Sequence, residues 1–170
     1  VLQPFPIPPH PWHTVTADFI TFLTTTPKGH DAVLVFVDKL TKMTHLVPTS
    51  VHCTAAEFAG HFLREVVRLH GFPAVLISDR DPRFTSRFWT AVAYELELKR
   101  AMSTAFHPQL DGQTERMNRE IEAILRTYVN PQGNDWDSHL DMVEFAINTH
   151  VSASTKQSPF MLNHGRHPLT

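Results

Sequence analysis

The amino-acid sequence predicts an α/β fold, a mixed five-stranded sheet flanked by helices on both faces. Three observations carry that expectation. Three strand-like segments with tight links occupy the first fifty residues, as in an antiparallel meander. After them, short strands alternate with helix patterns, and returning to the sheet from each helix requires crossovers and parallel neighbours. At 170 residues, with 42% apolar and 19% charged side chains, the chain can bury one well-packed core, whereas two domains would be cramped.

Residues 1–12, VLQPFPIPPHPW, carry prolines at positions 4, 6, 8, 9 and 11 and are expected to form an extended linker, because proline fixes φ and donates no backbone hydrogen bond. From Thr14 the pattern alternates, with Val15, Ala17 and Phe19 on one side and Thr16, Asp18 and Ile20 on the other, the period of a strand. Pro27, Lys28 and Gly29 mark a turn. Ala32–Val37 is apolar on both faces, as a central strand would be. A third strand, Thr44–Val47, is expected to end at Pro48. Thr54 followed by Glu57 is a capping-box pattern, and Ala55, Phe58, Phe62, Val66 and Leu69 then recur at helical spacing until Gly71. Ala74–Ile77 reads as a short strand, Phe84–Tyr94 as a helix and Leu96–Ala101 as the fifth strand. A helix carrying Glu115 follows. Trp136, Leu140, Val143 and Ile147 then repeat at helical spacing after a Gly133-Asn134 start signal. The domain is expected to span residues 13–163, with 164–170 opening a second linker.

One cysteine, Cys53, excludes an internal disulfide and any multi-cysteine zinc site, and its usage fits a reducing, non-secreted setting. No charged start followed by an apolar stretch suggests a signal peptide. The longest apolar run, Ala32–Val37, is far too short to cross a bilayer, so no membrane partner is expected. None of the twelve histidines forms an HxxxH pair with a nearby Glu. A formal charge of -2 and a pI near 6.7 do not by themselves announce a nucleic-acid binder.

The carboxylates are more informative. Asp18 sits inside the first strand, where an unpaired charge is costly, so it either reaches solvent or meets a cation. Asp79 stands just past the Ala74–Ile77 strand, at the kind of strand end where α/β sheets bind ligands. On the helix of Glu115, the residues Met117, Ile121, Ile124, Leu125 and Tyr128 make the apolar stripe. Glu115, Asn118, Arg119, Glu122 and Arg126 share the opposite side. Seventeen acidic residues allow many triplets, and the spacing singles this one out, with 35 residues between Asp79 and Glu115. Asp81, ahead of Pro82, reads as a turn former.

With these residues the chain resembles the catalytic core of retroviral-type integrases, specifically those of gypsy-type long-terminal-repeat retrotransposons, whose hallmark is Asp, Asp, a 35-residue gap, and Glu. The resemblance rests on ADFI at 17–20, VDKLTKMTH at 37–45, RLHGFP at 68–73, SDRDPRFTSRFW at 78–89, MSTAFHPQLDGQTERMNRE at 102–120 and the tail EFAINTHVSASTKQSPFMLNHGRHP. It implies an RNase H-like fold, with Asp18, Asp79 and Glu115 as catalytic residues and metal ligands. It further implies Mg²⁺, with Mn²⁺ able to substitute, held as two ions. The implied reaction is DNA integration: processing of 3′ DNA ends and strand transfer into target DNA. The implied partners are double-stranded DNA, as element ends and target, and a second copy of the core; the implied setting is the nucleus or an intracellular element particle. One departure stands in the closing helix, where Ile147 precedes Asn148-Thr149 and the family more often has tyrosine.

The chemistry suits the residues. Hard carboxylate oxygens suit Mg²⁺ or Mn²⁺, and a two-metal site activates a water or 3′-hydroxyl while stabilising the leaving oxygen. Two such ions would carry the formal charge from -2 to about +2 and make that face attractive to phosphate. Arg80, Arg83, Arg87, Arg116 and Arg119 are candidate phosphate contacts, with local salt bridges to Asp81, Glu120 or Glu122 as the alternative. The stretch Ser103–Gly112 is by resemblance the mobile active-site loop, in which His107 and Gln109 either contact DNA or serve as hinge. Met142, Phe145 and Ala146 widen the apolar surface of the closing helix beyond one core-facing stripe. A two-fold dimer is therefore expected, with His139 or Met142 meeting the partner. Two other readings remain open at this stage: a copy that binds without chemistry, and a ribonuclease H-type nuclease on the same fold.

Overall fold

The computed structural model describes residues 7–80, 82–95 and 112–169, with residues 82 and 112–116 as backbone alone. Strands β1 (Thr14–Ile20), β2 (Ala32–Asp38) and β3 (Thr44–Thr49) form the meander, with β2 antiparallel to both neighbours. Strand β4 (Val75–Ser78) adds to the free edge of β1 in parallel, giving the order β3-β2-β1-β4. The described sheet is thus mixed, as expected, and the fifth strand expected at Leu96–Ala101 lies outside the described residues. All seven residues of β2 are buried, which explains why the first six, Ala32–Val37, are apolar on both faces.

Helices α1 (Ala55–Phe62), α2 (Arg68–His70) and α3 (Pro82–Glu95) cover one face of the sheet, where Phe36, Phe58, Phe62 and Phe88 form an aromatic core. Helices α4 (Gly112–Tyr128) and α5 (Leu140–Thr149) cover the other, packing Ile121, Leu125 and Val143 on Val33, Val35 and Val37. A last helix, α6 (Pro159–His164), starts on Ser158 as its N-cap. The capping box is present as expected: Thr54 Oγ1 accepts from the Glu57 N–H, and the Glu57 carboxylate accepts from the Thr54 N–H at 2.8 Å.

Four details depart from the sequence expectation. First, β3 continues through Pro48 to Thr49, because it is the edge strand of the described sheet and proline's missing donor is tolerated at an edge. Second, a π-helical turn (Leu63–Val67) joins α1 to α2. Its extra residue rotates the helix end, so Leu69, expected in the buried stripe, is 46% exposed and His70 turns inward instead. Third, Trp136 belongs to a short 3₁₀ turn (Trp136–Ser138) ahead of α5, where its indole donates to the Thr24 carbonyl at 2.7 Å. Fourth, Trp12, at the end of the proline-rich stretch, is buried. Its ring stacks on His70 at 3.7 Å between centroids, and its Nε1 donates to Asn163 Oδ1 of α6 at 2.7 Å.

Two polar side chains do the work of missing backbone partners. Asp38 closes the β2–β3 turn, accepting from the Thr41 hydroxyl at 2.7 Å and the Thr41 N–H at 3.1 Å. Asn148 of α5 pairs with the outer edge of β3, its Oδ1 accepting from the Thr44 N–H and its Nδ2 donating to the Thr44 carbonyl, both at 2.8 Å. The carboxamide thereby imitates the next strand.

Candidate active site

The site begins where β4 ends. The parallel register sets Ala17 of β1 across from Ser78 of β4, so the next residue on each strand brings Asp18 and Asp79 side by side at the carboxyl edge. Asp18 is half-buried. Its Oδ1 accepts from the Phe19 N–H at 2.9 Å and its Oδ2 from Asn118 Nδ2 of α4 at 2.7 Å. Burial pushes the Asp18 carboxyl above its ordinary range and the neighbouring Asp79 charge adds to that rise, while the bonds from Asn118 and Phe19 and the Arg80 charge oppose it. Asp79 is exposed. The third predicted carboxylate, Glu115, occupies a backbone position on α4 one turn before Asn118, and its side chain lies outside the described residues. Among the described residues, no three of His, Cys, Asp and Glu gather as a metal-binding group.

Arg80 is held firmly. Its guanidinium lies 4.1 Å from the ring centroid of Phe19 and 4.8 Å from that of Phe84, a cation clamped between two aromatic faces. Its Nε is buried without a hydrogen-bond partner among the described residues, and Arg80 lines a small niche with Phe58, Ser78, Phe84, Thr85 and Phe88 beside the carboxylates. Arg83 and Arg87 are exposed on α3, and Arg119 is exposed on α4. Arg116 is described as backbone alone, while His107, Gln109 and Asp81 lie outside the described residues.

By its sequence Asn118 lies on the polar side of its helix, with no role that the pattern assigns. The structure makes it a link between α4 and β1, and its Oδ1 is itself buried with no hydrogen-bond partner among the described residues. The available signal was its spacing, three residues after Glu115 on one helical strip.

Against known proteins, a 167-residue stretch covering 98% of the chain is 35% identical to the Transposon Tf2-3 polyprotein of Schizosaccharomyces pombe, and the Tf2-4 polyprotein matches equally. The chain spans 12% of those polyproteins' length. Among solved structures, the HTLV-2 integrase catalytic core domain in complex with magnesium, in its trimeric form, superposes with a TM-score of 0.69 at 19% identity, covering 92% of this chain and 99% of that one. The chain is similar to one segment of these transposon polyproteins and has the fold of a retroviral integrase catalytic core. The catalytic core domain of BIV integrase matches at a TM-score of 0.63 and 18% identity over 89% of this chain and 93% of that one. No protein-family profile matches the chain. The RNase H-like class expected from the sequence is therefore the fold found.

Proposed function

We propose that this chain is an integrase core that catalyses DNA integration as a divalent-metal-dependent polynucleotidyl transferase, processing 3′ DNA ends and transferring strands into target DNA. The observation that carries the reading is the meeting of three elements at one edge: the β1–β4 register sets Asp18 beside Asp79, and the Asn118–Asp18 bond joins α4 to that edge; Glu115, one turn earlier on α4, is proposed as the third carboxylate.

The donor set suits Mg²⁺ or Mn²⁺. Asp18 and Asp79 are hard oxygen donors, the Asp18 carboxyl is raised by burial and by its neighbour's charge, and Asn118 offers a further buried oxygen without a hydrogen-bond partner among the described residues. In this proposal Asp18, Asp79 and Glu115 hold the cations. When bound, such ions supply activation of a water or 3′-hydroxyl and stabilisation of the leaving oxygen. The chain's own groups supply the rest. Asn118 and the Phe19 N–H fix the plane of the Asp18 carboxylate. Arg80, clamped by two rings, contributes a positive charge that does not wander, and the exposed Arg83 and Arg119 are placed to hold phosphates of element-end and target DNA. Arg116, His107 and Gln109 are proposed for the same DNA surface. The working form is proposed as a homodimer of the core, acting in the nucleus or an element particle, with residues 13–163 as the folded unit between two linkers.

Two measurements test this. Calorimetric titration should show Mn²⁺ binding that Asp79→Asn weakens at least about tenfold; equal affinity in the variant would remove the ligand assignment. In a strand-transfer or disintegration assay on branched duplex DNA, Glu115→Gln should abolish metal-dependent turnover. Preferential cleavage of an RNA–DNA hybrid would instead favour a ribonuclease H-type activity.

A further inference from the structure

Two residues past β1, and four past Asp18, Phe22 combines two unfavourable features. Its side chain is 101% exposed, and its backbone has φ of 63°, the left-handed region that β-carbon-bearing residues avoid. Of the other three non-glycine residues with positive φ among the described residues, Trp12 is buried beneath its stacking partners, Lys42 donates its ammonium to the Lys39 carbonyl, and Lys156 closes a turn by donating its N–H to the Ser152 carbonyl at 2.8 Å. Phe22 makes no ring contact within the described residues.

The loop that carries it is nevertheless tied down on both sides. Leu23 packs against the core beneath α4 and α5, the Thr24 carbonyl accepts the Trp136 indole, and the Thr26 hydroxyl donates to Asp137 at 3.0 Å. Phe22 is thus presented outward from an anchored loop. Around it in sequence stand Thr21, the inward-packed Leu23, Thr24 and Thr25, of which Thr24 and Thr25 are exposed. A lone flat ring in a hydroxyl-rich setting suits a partner that is itself flat and polar at its rim, which a nucleobase is and an apolar protein surface is not.

We propose that Phe22 stacks on an unpaired nucleobase of the DNA end held at the Asp18–Asp79 edge. The proposal deepens the DNA-integration reading and rests on it. Four residues of extended chain reach at most about 13 Å, so the base lies within about four nucleotide steps of the reacting phosphate. The hydroxyls of Thr24 and Thr25 stand ready to donate to the backbone of the same strand.

The test compares the parent with Phe22→Ala, Phe22→Tyr and Phe22→Gly on two short duplexes, one fully paired and one with an unpaired end bearing a fluorescent adenine analogue. Phe22→Ala should weaken binding of the unpaired end between about fivefold and one hundredfold, relieve quenching of the analogue, and leave the salt slope unchanged, because stacking releases no counterions. Phe22→Tyr should restore both signals. Phe22→Gly should lose binding as the alanine variant does, while its melting temperature stays level or rises, since glycine accepts the left-handed backbone. If Phe22→Ala binds the unpaired end as tightly as the parent while both bind DNA, the stacking assignment is wrong and the integration reading stands. If the parent binds neither duplex, both fall. A clear loss of melting temperature in Phe22→Gly would make the residue structural and overturn the proposal.

Discussion

Replacing Asn148 tests whether one carboxamide holds the edge of the sheet. Thr44 is 0% exposed, and its N–H and carbonyl both pair with the Asn148 side chain across 104 residues of sequence. Asn148→Ala strands both groups in an environment that water does not reach. At about 1–3 kcal/mol for each orphaned group, partly relieved by local movement, the loss should be about 3 kcal/mol. For a chain of this size that lowers the melting temperature by roughly 6–12 °C. Asn148→Asp should lose nearly as much, because a carboxylate still accepts from the N–H but faces the Thr44 carbonyl with no hydrogen to give. Urea denaturation of the three proteins should shift the midpoint with the slope unchanged. A loss below about 1 kcal/mol for Asn148→Ala would refute the strand-mimic account, since it would mean that water or backbone movement repairs both groups.

Other perturbations probe the site and its surroundings. Burial, with the charges of His45 and His164, lowers the His70 imidazole to about 4. The unfolded chain therefore binds the extra proton between pH 6.5 and 4, and stability should fall as pH drops through that window. His70→Phe, which keeps a ring beneath Trp12, should flatten that part of the profile in pH-dependent denaturation. Without metal at neutral pH, Asp18→Asn should leave stability level or raise it, because it removes a carboxylate whose charged form burial disfavours. The Asn118 amide can then turn so that its oxygen accepts from the new amide. Mn²⁺ binding should collapse in the same variant, and a large loss of stability would contradict the account. Met142 and Phe145 are 59% and 43% exposed on α5. In sedimentation, the core should form a dimer burying roughly 1,200–2,000 Å² that Met142→Asp dissociates without unfolding; a monomer at high micromolar concentration would refute it.

What the sequence made legible was local and periodic. Alternation exposed β1, a doubly apolar run exposed β2, and the Thr54–Glu57 pair marked the start of α1, because each signal lies within a few residues of the structure it forms. The Asp18–Asp79 meeting followed from two strand ends of known order together with a family resemblance. Asn148 was illegible because its partner, Thr44, is 104 residues away and nothing local records the pairing; Asn118, 100 residues from Asp18, left only its spacing from Glu115 as a trace. Pro48 misled because its effect depends on whether a strand is central or at an edge, a property of the assembled sheet. Phe22 carried no pattern at all, since a single exposed residue breaks no periodicity.

The π-turn at Leu63–Val67 has a consequence that lies in counting rather than in chemistry. One residue of α1's continuation is surplus to an α-helical repeat, and that surplus aims His70 at Trp12. Deleting any single residue there would leave every core phenylalanine before it in place, yet turn the helix end by about 100° and swing Leu69 back to the inner side. Trp12 would then lose the ring it lies on, and the Trp12–Asn163 clasp that joins the segment ahead of β1 to α6 would lose its footing. The buckle joining these two distant stretches is set by the length of a helix that neither of them belongs to.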